Sequence, residues 1–241
     1  GVLDDEEWRA IQRRPVLTRE DAAVVEAALP DAQAVGMQSG WPTPTADVSW
    51  RNRTVGDVLV FGVTPPYQVV QDYRFAAGEP LTQPDIAERS YVAVLGWDVA
   101  EKLFDQPERG VGRKIRVAGR ELTVKGIIAQ KGRVLGQSFD GFVLLPLPTF
   151  ESMYGRRRTT TVSVKFADAE DLPGGMARAE EAMRIAHRLR PGEPNDFTID
   201  KADALVAFWA DLTGVLFTVI PAVVTIGLVG GGIVIMNIML M

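Results

Sequence analysis

Cysteine is absent from the 241 residues and histidine occurs once, at position 187. The first absence excludes a disulfide framework, thiolate metal sites and a cysteine nucleophile together. The second leaves any zinc site or histidine-based triad to be built around His187 alone. Basic charge is scarce too: 26 Lys and Arg stand against 31 Asp and Glu, for a net charge of -5 and an isoelectric point near 5.1. A nucleic-acid-binding chain needs a basic surface, so nucleic acid is not an expected partner. Phosphate-cradling loops are also missing. GRVLGQS at 132–138 lacks the Gly-Lys-Ser/Thr ending of a P-loop, and Gly110-Val111-Gly112 lacks the third glycine of a dinucleotide fingerprint. No catalytic residue, cofactor or metal ligand is therefore assigned, and any ATP hydrolysis is expected on another region or subunit. The first fifteen residues are polar and acidic, so the sequence predicts that an exported domain would take its signal or anchor from upstream.

What is present in excess lies at the other end. Residues 212–241, LTGVLFTVIPAVVTIGLVGGGIVIMNIMLM, contain no charge. About 20 apolar residues span a bilayer, and as helix this run reaches ~45 Å against a hydrocarbon core of ~30 Å. The expectation is a tilted or projecting membrane helix, entered from residue 202 and kinked at Pro221, which membrane helices tolerate. Gly227 and Gly231 have the GxxxG spacing of a close helix–helix contact, and Asn237 is the run's one strongly polar side chain, suited to bonding a neighbouring helix. Trp209, near the helix entry, fits an interfacial anchor against membrane lipid. Asp203 and Asp211 flank the run with only Lys201 nearby, and an Arg/Lys-poor flank belongs outside the cytoplasm.

The rest of the chain predicts an α+β domain over residues 1–201. Residues 1–16 read as an exposed helical lead-in. Thr18 and Asp21 form a capping-box pattern for a helix to Leu29, stopped by Pro30. Strands are expected at 34–39, 47–53 and 54–63, a short helix at 67–73, a strand at 91–95 and an amphipathic helix at 97–104. Strands at 114–118 and 120–130 join through a two-residue turn at Ala118-Gly119. Further strands are expected at 142–147, ended by Pro146 and Pro148, and at 159–166, then a helix at 172–189 and a short strand at 197–200.

Five stretches, in order, resemble one family. VGGGIVIMNIMLM (229–241) is similar to the second transmembrane helix of MacB-type permeases, where a GGIGIMNIML string recurs. YVAVLGWDVAEKLF (91–104), VGRKIRVAGRELTVKGII (111–128) and FDGFVLLPLPT (139–149) resemble segments of their periplasmic domain, and LTREDAAVVEAALP (17–30) resembles its opening. The acidic VLDDEEWRAIQRRP (2–15) replaces the family's Pro-Gly stretch, a departure that marks a divergent branch. The resemblance implies a two-lobed extracytoplasmic domain: a βαβ-containing lobe from 17–63 and 155–201, and an inserted mainly β lobe from 64–154, followed by the membrane helix from 202–241. It implies a permease of an ABC transporter in the bacterial inner membrane, its soluble domain in the periplasm or extracellular space. The expected partners are an ABC ATPase domain or subunit, a second permease as homodimer or pair, and a periplasmic adaptor protein. The function expected is coupling of cytoplasmic ATP hydrolysis to periplasmic motion for export or efflux. The alternative is an FtsX-like regulator that activates a cell-wall hydrolase and moves no substrate. A third, a membrane-anchored hydrolase or sensor, finds no nucleophile motif.

The remaining conspicuous side chains have plainer readings. His187, among Arg184, Arg188 and Arg190, is expected to be exposed at a helix C-terminus where the dipole favours its charge. Asp140, beside Lys131 and Arg133, is expected in a local salt bridge, and Arg156, Arg157 and Arg158 in a solvated loop. Trp41, Trp50 and Trp97 are expected in the core or at its edge.

Overall fold

A computed structural model describes residues 17–40, 42–131, 133–134, 137–138, 140–156 and 160–199. The chain divides into two compact units, Gly1–Phe197 and Thr198–Met241, and every described helix and strand belongs to the first. The expected lead-in at 1–16, Trp41, Arg157, Arg158, Trp209, Gly227, Gly231, Asn237 and the apolar run lie outside the described residues. Among the described residues, no helix is long and apolar enough to cross a membrane.

In chain order the helices are α1 (Arg19–Ala28), α2 (Pro65–Val70), α3 (Gln83–Ala87), α4 (Trp97–Leu103), α5 (Leu147–Tyr154) and α6 (Leu172–Ala186). The strands are β1 (Ala34–Ser39), β2 (Thr45–Trp50), β3 (Arg53–Val63), β4 (Phe75–Gly78), β5 (Val92–Leu95), β6 (Lys114–Val117), β7 (Arg120–Ile128), β8 (Arg133–Val134), β9 (Gln137–Ser138), β10 (Phe142–Pro146) and β11 (Thr160–Lys165).

Six strands close a ring in the order β3-β2-β6-β7-β5-β10, with β10 returning in parallel to β3. β3 makes the closure possible because it is long: its first part pairs with β2, and Leu59 to Val63 pair with Phe142 to Pro146 on its other edge. An extra residue between Val55 and Val58, with Asp57 at φ 55°, bulges and bends this strand. β2 and β3 come from before residue 64 and the other four from after it, so the ring draws on both stretches of chain.

Period-2 alternation turns one set of side chains inward. Val48, Val58, Val60, Leu95, Ile115, Val117, Leu122, Val124, Val143 and Leu145 fill the ring, with Leu103 of α4 and Phe150 of α5 packed into the same core. Each such buried branched side chain contributes on the order of 1.5–3 kcal/mol. Outside the ring, Val94 and Leu144 are covered by Tyr67, Leu81 and the aromatic rings of Tyr73 and Phe75.

β1 joins this body by one ladder pair, Gln38 with Val63, and by the Ser39 hydroxyl, which accepts from the Gly62 N–H at 2.9 Å. Its other edge carries β11 antiparallel over six pairs. α1 lays Ala22 over Met37, Leu147 and Val162, and α6 packs beside α1.

Several boundaries differ from the sequence expectation. The strand expected at 47–53 is β2, ending at Trp50. Arg51 at φ 54° and Asn52 form the turn into β3, with Trp50 opposite Arg53. Residues 147–154 form a helix where Pro148 was expected to mark an end, because proline at the first helical positions loses no hydrogen bond. Residues 197–199 take no strand conformation. The turn at Ala118 and Gly119 has φ of 50° and 78°, as a two-residue hairpin requires.

Candidate functional site

Two features stand out once the barrel is set aside: a groove and a polar clasp.

The groove has a volume of about 1090 Å³ and lies between the end of α1, the start of β1, α2 and β4. Leu29, Pro30, Val69, Tyr73, Phe75 and Leu81 supply its apolar wall. α2 forms one side because it sits directly against β1: a Cβ on Gly36 would lie 2.4 Å from the Tyr67 Cα. Tyr73 stacks on Phe142 and carries the Lys131 ammonium 4.7 Å above its ring. Burial pushes the Tyr67 and Tyr73 phenols up, so both stay protonated. At the rim the Lys165 ammonium pairs with Asp72, and burial is outweighed there by that hydrogen bond, which holds the Asp72 carboxyl below its usual range. Glu26, Asp72, Arg74 and Lys165 are the charged groups of the lining, beside the apolar wall.

The clasp is built on His187, which caps the C-terminal end of α6. Its side chain is 12% exposed, where the sequence predicted an exposed residue. Nε2 lies 3.0 Å from Asp21 Oδ1, and Nδ1 lies 2.8 and 2.9 Å from the two oxygens of Asp196. Asp21 serves two elements at once. Its Oδ2 accepts from the Thr18 backbone N–H at 2.8 Å, closing the capping box that starts α1, while Oδ1 faces the imidazole. Asp196 lies in the stretch after α6, and this stretch is fastened at each step. Arg184 donates to Asn195 Oδ1 at 2.5 Å and to the Glu193 and Arg190 carbonyls at 2.8 Å. Phe197 is 7% exposed and meets the His187 ring edge-on at 5.9 Å between centroids. One ring thus ties the beginning of α1 to the residues that lead out of the unit. Among the described residues no three His, Asp or Glu side chains are placed to hold a metal ion, and the two imidazole nitrogens face separate carboxylates.

Burial opposes charge on His187, yet the hydrogen bonds to Asp21 and Asp196 prevail and raise its pKa above 6.5. Burial likewise opposes ionisation of Asp21, and the Thr18 N–H with His187 outweighs it, lowering that pKa. Asp140, expected in a local salt bridge beside Lys131 and Arg133, is fully buried and accepts from the Lys131 backbone N–H at 3.2 Å; the Lys131 ammonium donates to the Gln71 carbonyl. Arg156 pairs with Glu151, which also holds Arg19 of α1. Trp50 packs edge-on against Phe104 and Trp97 lies against the barrel core. Sequence reasoning recognises the capping role of Asp21 and misses its second partner, which lies 166 residues away. It also misses a T-x-x-D signal at Thr82 and Asp85. That box starts α3, and Asp85 there pairs with the Lys125 ammonium.

Residues 4–182 match the family model described as "MacB-like periplasmic core domain". The chain is 31% identical over 228 residues to the macrolide export ATP-binding/permease protein MacB of Rhodospirillum rubrum, covering 93% of this chain and 33% of that protein. The curated relatives it matches are thus about three times its length. Its fold is similar to the periplasmic region of MacB from Actinobacillus actinomycetemcomitans, with a TM-score of 0.67, 18% identity and coverage of 86% of this chain and 89% of that one. It is also similar to the extracellular domain of the noncanonic ABC-type transporter YknZ from Gram-positive bacteria, with a TM-score of 0.62, 16% identity and coverage of 82% and 95%. At these identities the two structures speak for the fold alone.

Proposed function

The chain belongs to the MacB-like periplasmic core domain family, and from that premise we propose that it is the extracytoplasmic part of an ABC-transporter permease that relays motion between a cytoplasmic ATPase and the periplasm. In this reading the uncharged run at 212–241 spans the inner membrane, Trp209 anchors its outer end, and Gly227, Gly231 and Asn237 pack against a neighbouring helix. The domain carries no chemistry of its own, and a partnering ATPase supplies the energy.

The observation that supports a relay is the fastening of residues 195–197. Asn195 is held by Arg184, Asp196 by His187, and Phe197 is buried. A displacement arriving from beyond residue 197 meets a stretch already secured to α6 and α1. The sequence from 201 to 212 contains no Gly, Ser or Pro to uncouple it. The test is a short Gly-Ser insertion after Asp203 in the full-length permease with its ATPase. ATP turnover should persist while export fails. If export also persists, the domain is a tethered binding module and the relay is wrong.

A further inference from the structure

The geometry points to His187 as a proton-operated latch: its doubly protonated ring joins α1 to the 195–197 stretch, and loss of one proton releases that joint.

The argument starts from hydrogen-bond stoichiometry. A neutral imidazole has one N–H donor and one lone pair, whereas an imidazolium has two donors. Ionised carboxylates only accept. Here Asp21 Oδ1 lies 3.0 Å from Nε2, and both Asp196 oxygens lie within 2.9 Å of Nδ1. Only the imidazolium satisfies both sides. In the neutral ring, whichever tautomer forms, one lone pair faces a carboxylate across hydrogen-bond distance with little access for water, since the side chain is 12% exposed. The joint must then loosen on one side.

The side that gives way follows from what else holds each carboxylate. Asp21 retains the Thr18 N–H and hydroxyl through Oδ2, and its helix is packed on Met37, Leu147 and Val162. Asp196 sits on a stretch outside any helix or strand. The Asp196 side therefore opens. The other charges around the ring do not replace the lost bond. Arg184, one turn earlier on α6, is committed to Asn195 and to the Glu193 and Arg190 carbonyls, and Arg188 and Arg190 are exposed. From α1 the facing group is Asp21, and from the stretch after α6 it is Asp196.

The sign of the pH dependence is fixed by the folded-state pKa lying above 6.5. The latch contributes in full below that value and is lost as pH rises through the folded pKa. It is closed in acid and open in alkali, the reverse of a carboxylate-driven switch. This inference stands on the clasp geometry and holds whether or not the domain relays transport.

The test uses the whole 241-residue chain in lipid nanodiscs. With one histidine, ¹³C-labelled imidazole gives a single titrating NMR signal; with no cysteine, nitroxides placed through Glu20→Cys and Pro194→Cys report one distance. The expected results are a His187 midpoint above 6.5 and a narrow distance at pH 5.5 that broadens to longer values as pH passes that midpoint. Asp196→Asn should lower the midpoint, and His187→Gln should give the broad distribution at both pH values. A midpoint at or below 6.5 overturns the proposal, and so does a raised midpoint with a distance that ignores pH. If His187→Gln misfolds, Asp196→Asn decides alone: an unshifted midpoint sinks the latch.

Discussion

The barrel and its helical flank are held by different physics. Among the described residues, the cluster that fills the ring is built of aliphatic and aromatic side chains. The flank also buries apolar side chains, among them Ala22, Val25, Leu29, Met37, Leu147 and Met183, and adds polar ties to them: Arg19 with Glu151, Arg178 with Asp31, and the His187 clasp. Burial of apolar area is insensitive to pH and salt, whereas ion pairs near the surface respond to both. The flank therefore carries contacts that respond to pH and salt beside its buried apolar side chains.

The largest effect that sharpens this contrast belongs to the barrel. Leu145 is fully buried, and Leu145→Ala should cost about 2–5 kcal/mol in urea unfolding, with no dependence on salt. Equal losses at low and high salt check the second half of that statement.

A middle-sized effect tests the exception, a polar pair placed on the barrel's outer wall. The Lys125 ammonium and Asp85 are 19% and 11% exposed in their side chains. Lys125→Met should cost on the order of 1–3 kcal/mol at neutral pH, since it strands a buried carboxylate. Burial works against the charge on Asp85, and Lys125 with Thr82 more than offsets it, so the carboxyl titrates below 3.8. The pair's contribution is therefore present above 3.8 and lost as pH falls through the folded pKa. The difference between wild type and Lys125→Met should shrink on acidification. A difference that grows would contradict the assignment. His187 behaves in the opposite sense, fading as pH rises, so the two ties separate cleanly on the pH axis.

The smallest effect lies at the start of the flank. Thr18→Ala removes the hydroxyl that accepts from Asp21 N–H, and should cost about 1 kcal/mol. It should leave the barrel's hydrogen-exchange protection unchanged while exposing amides of α1. Loss of protection in β5 or β10 would show that flank and barrel unfold as one.

Much of the fold is legible locally. Thr18 and Asp21 announce α1, the strand expected at 34–39 is β1 over its observed residues, and Ala118-Gly119 marks the tight hairpin between β6 and β7. Each of these signals resides within a few residues, because caps, turns and pleats are short-range geometry. Two helix starts carry equally local signals that sequence reasoning does not use: Pro148 inside the first turn of α5 and the Thr82–Asp85 box before α3.

The sequence by itself determined the strand periodicities, the caps, the absence of thiol chemistry and a composition with a single titratable imidazole. Tertiary structure alone decided the parallel return of β10 onto β3, the seating of α2 on Gly36 and the meeting of Asp21, His187 and Asp196. Those contacts join residues far apart in the chain. Their energy depends on distance and orientation in space, which no local pattern of residues encodes.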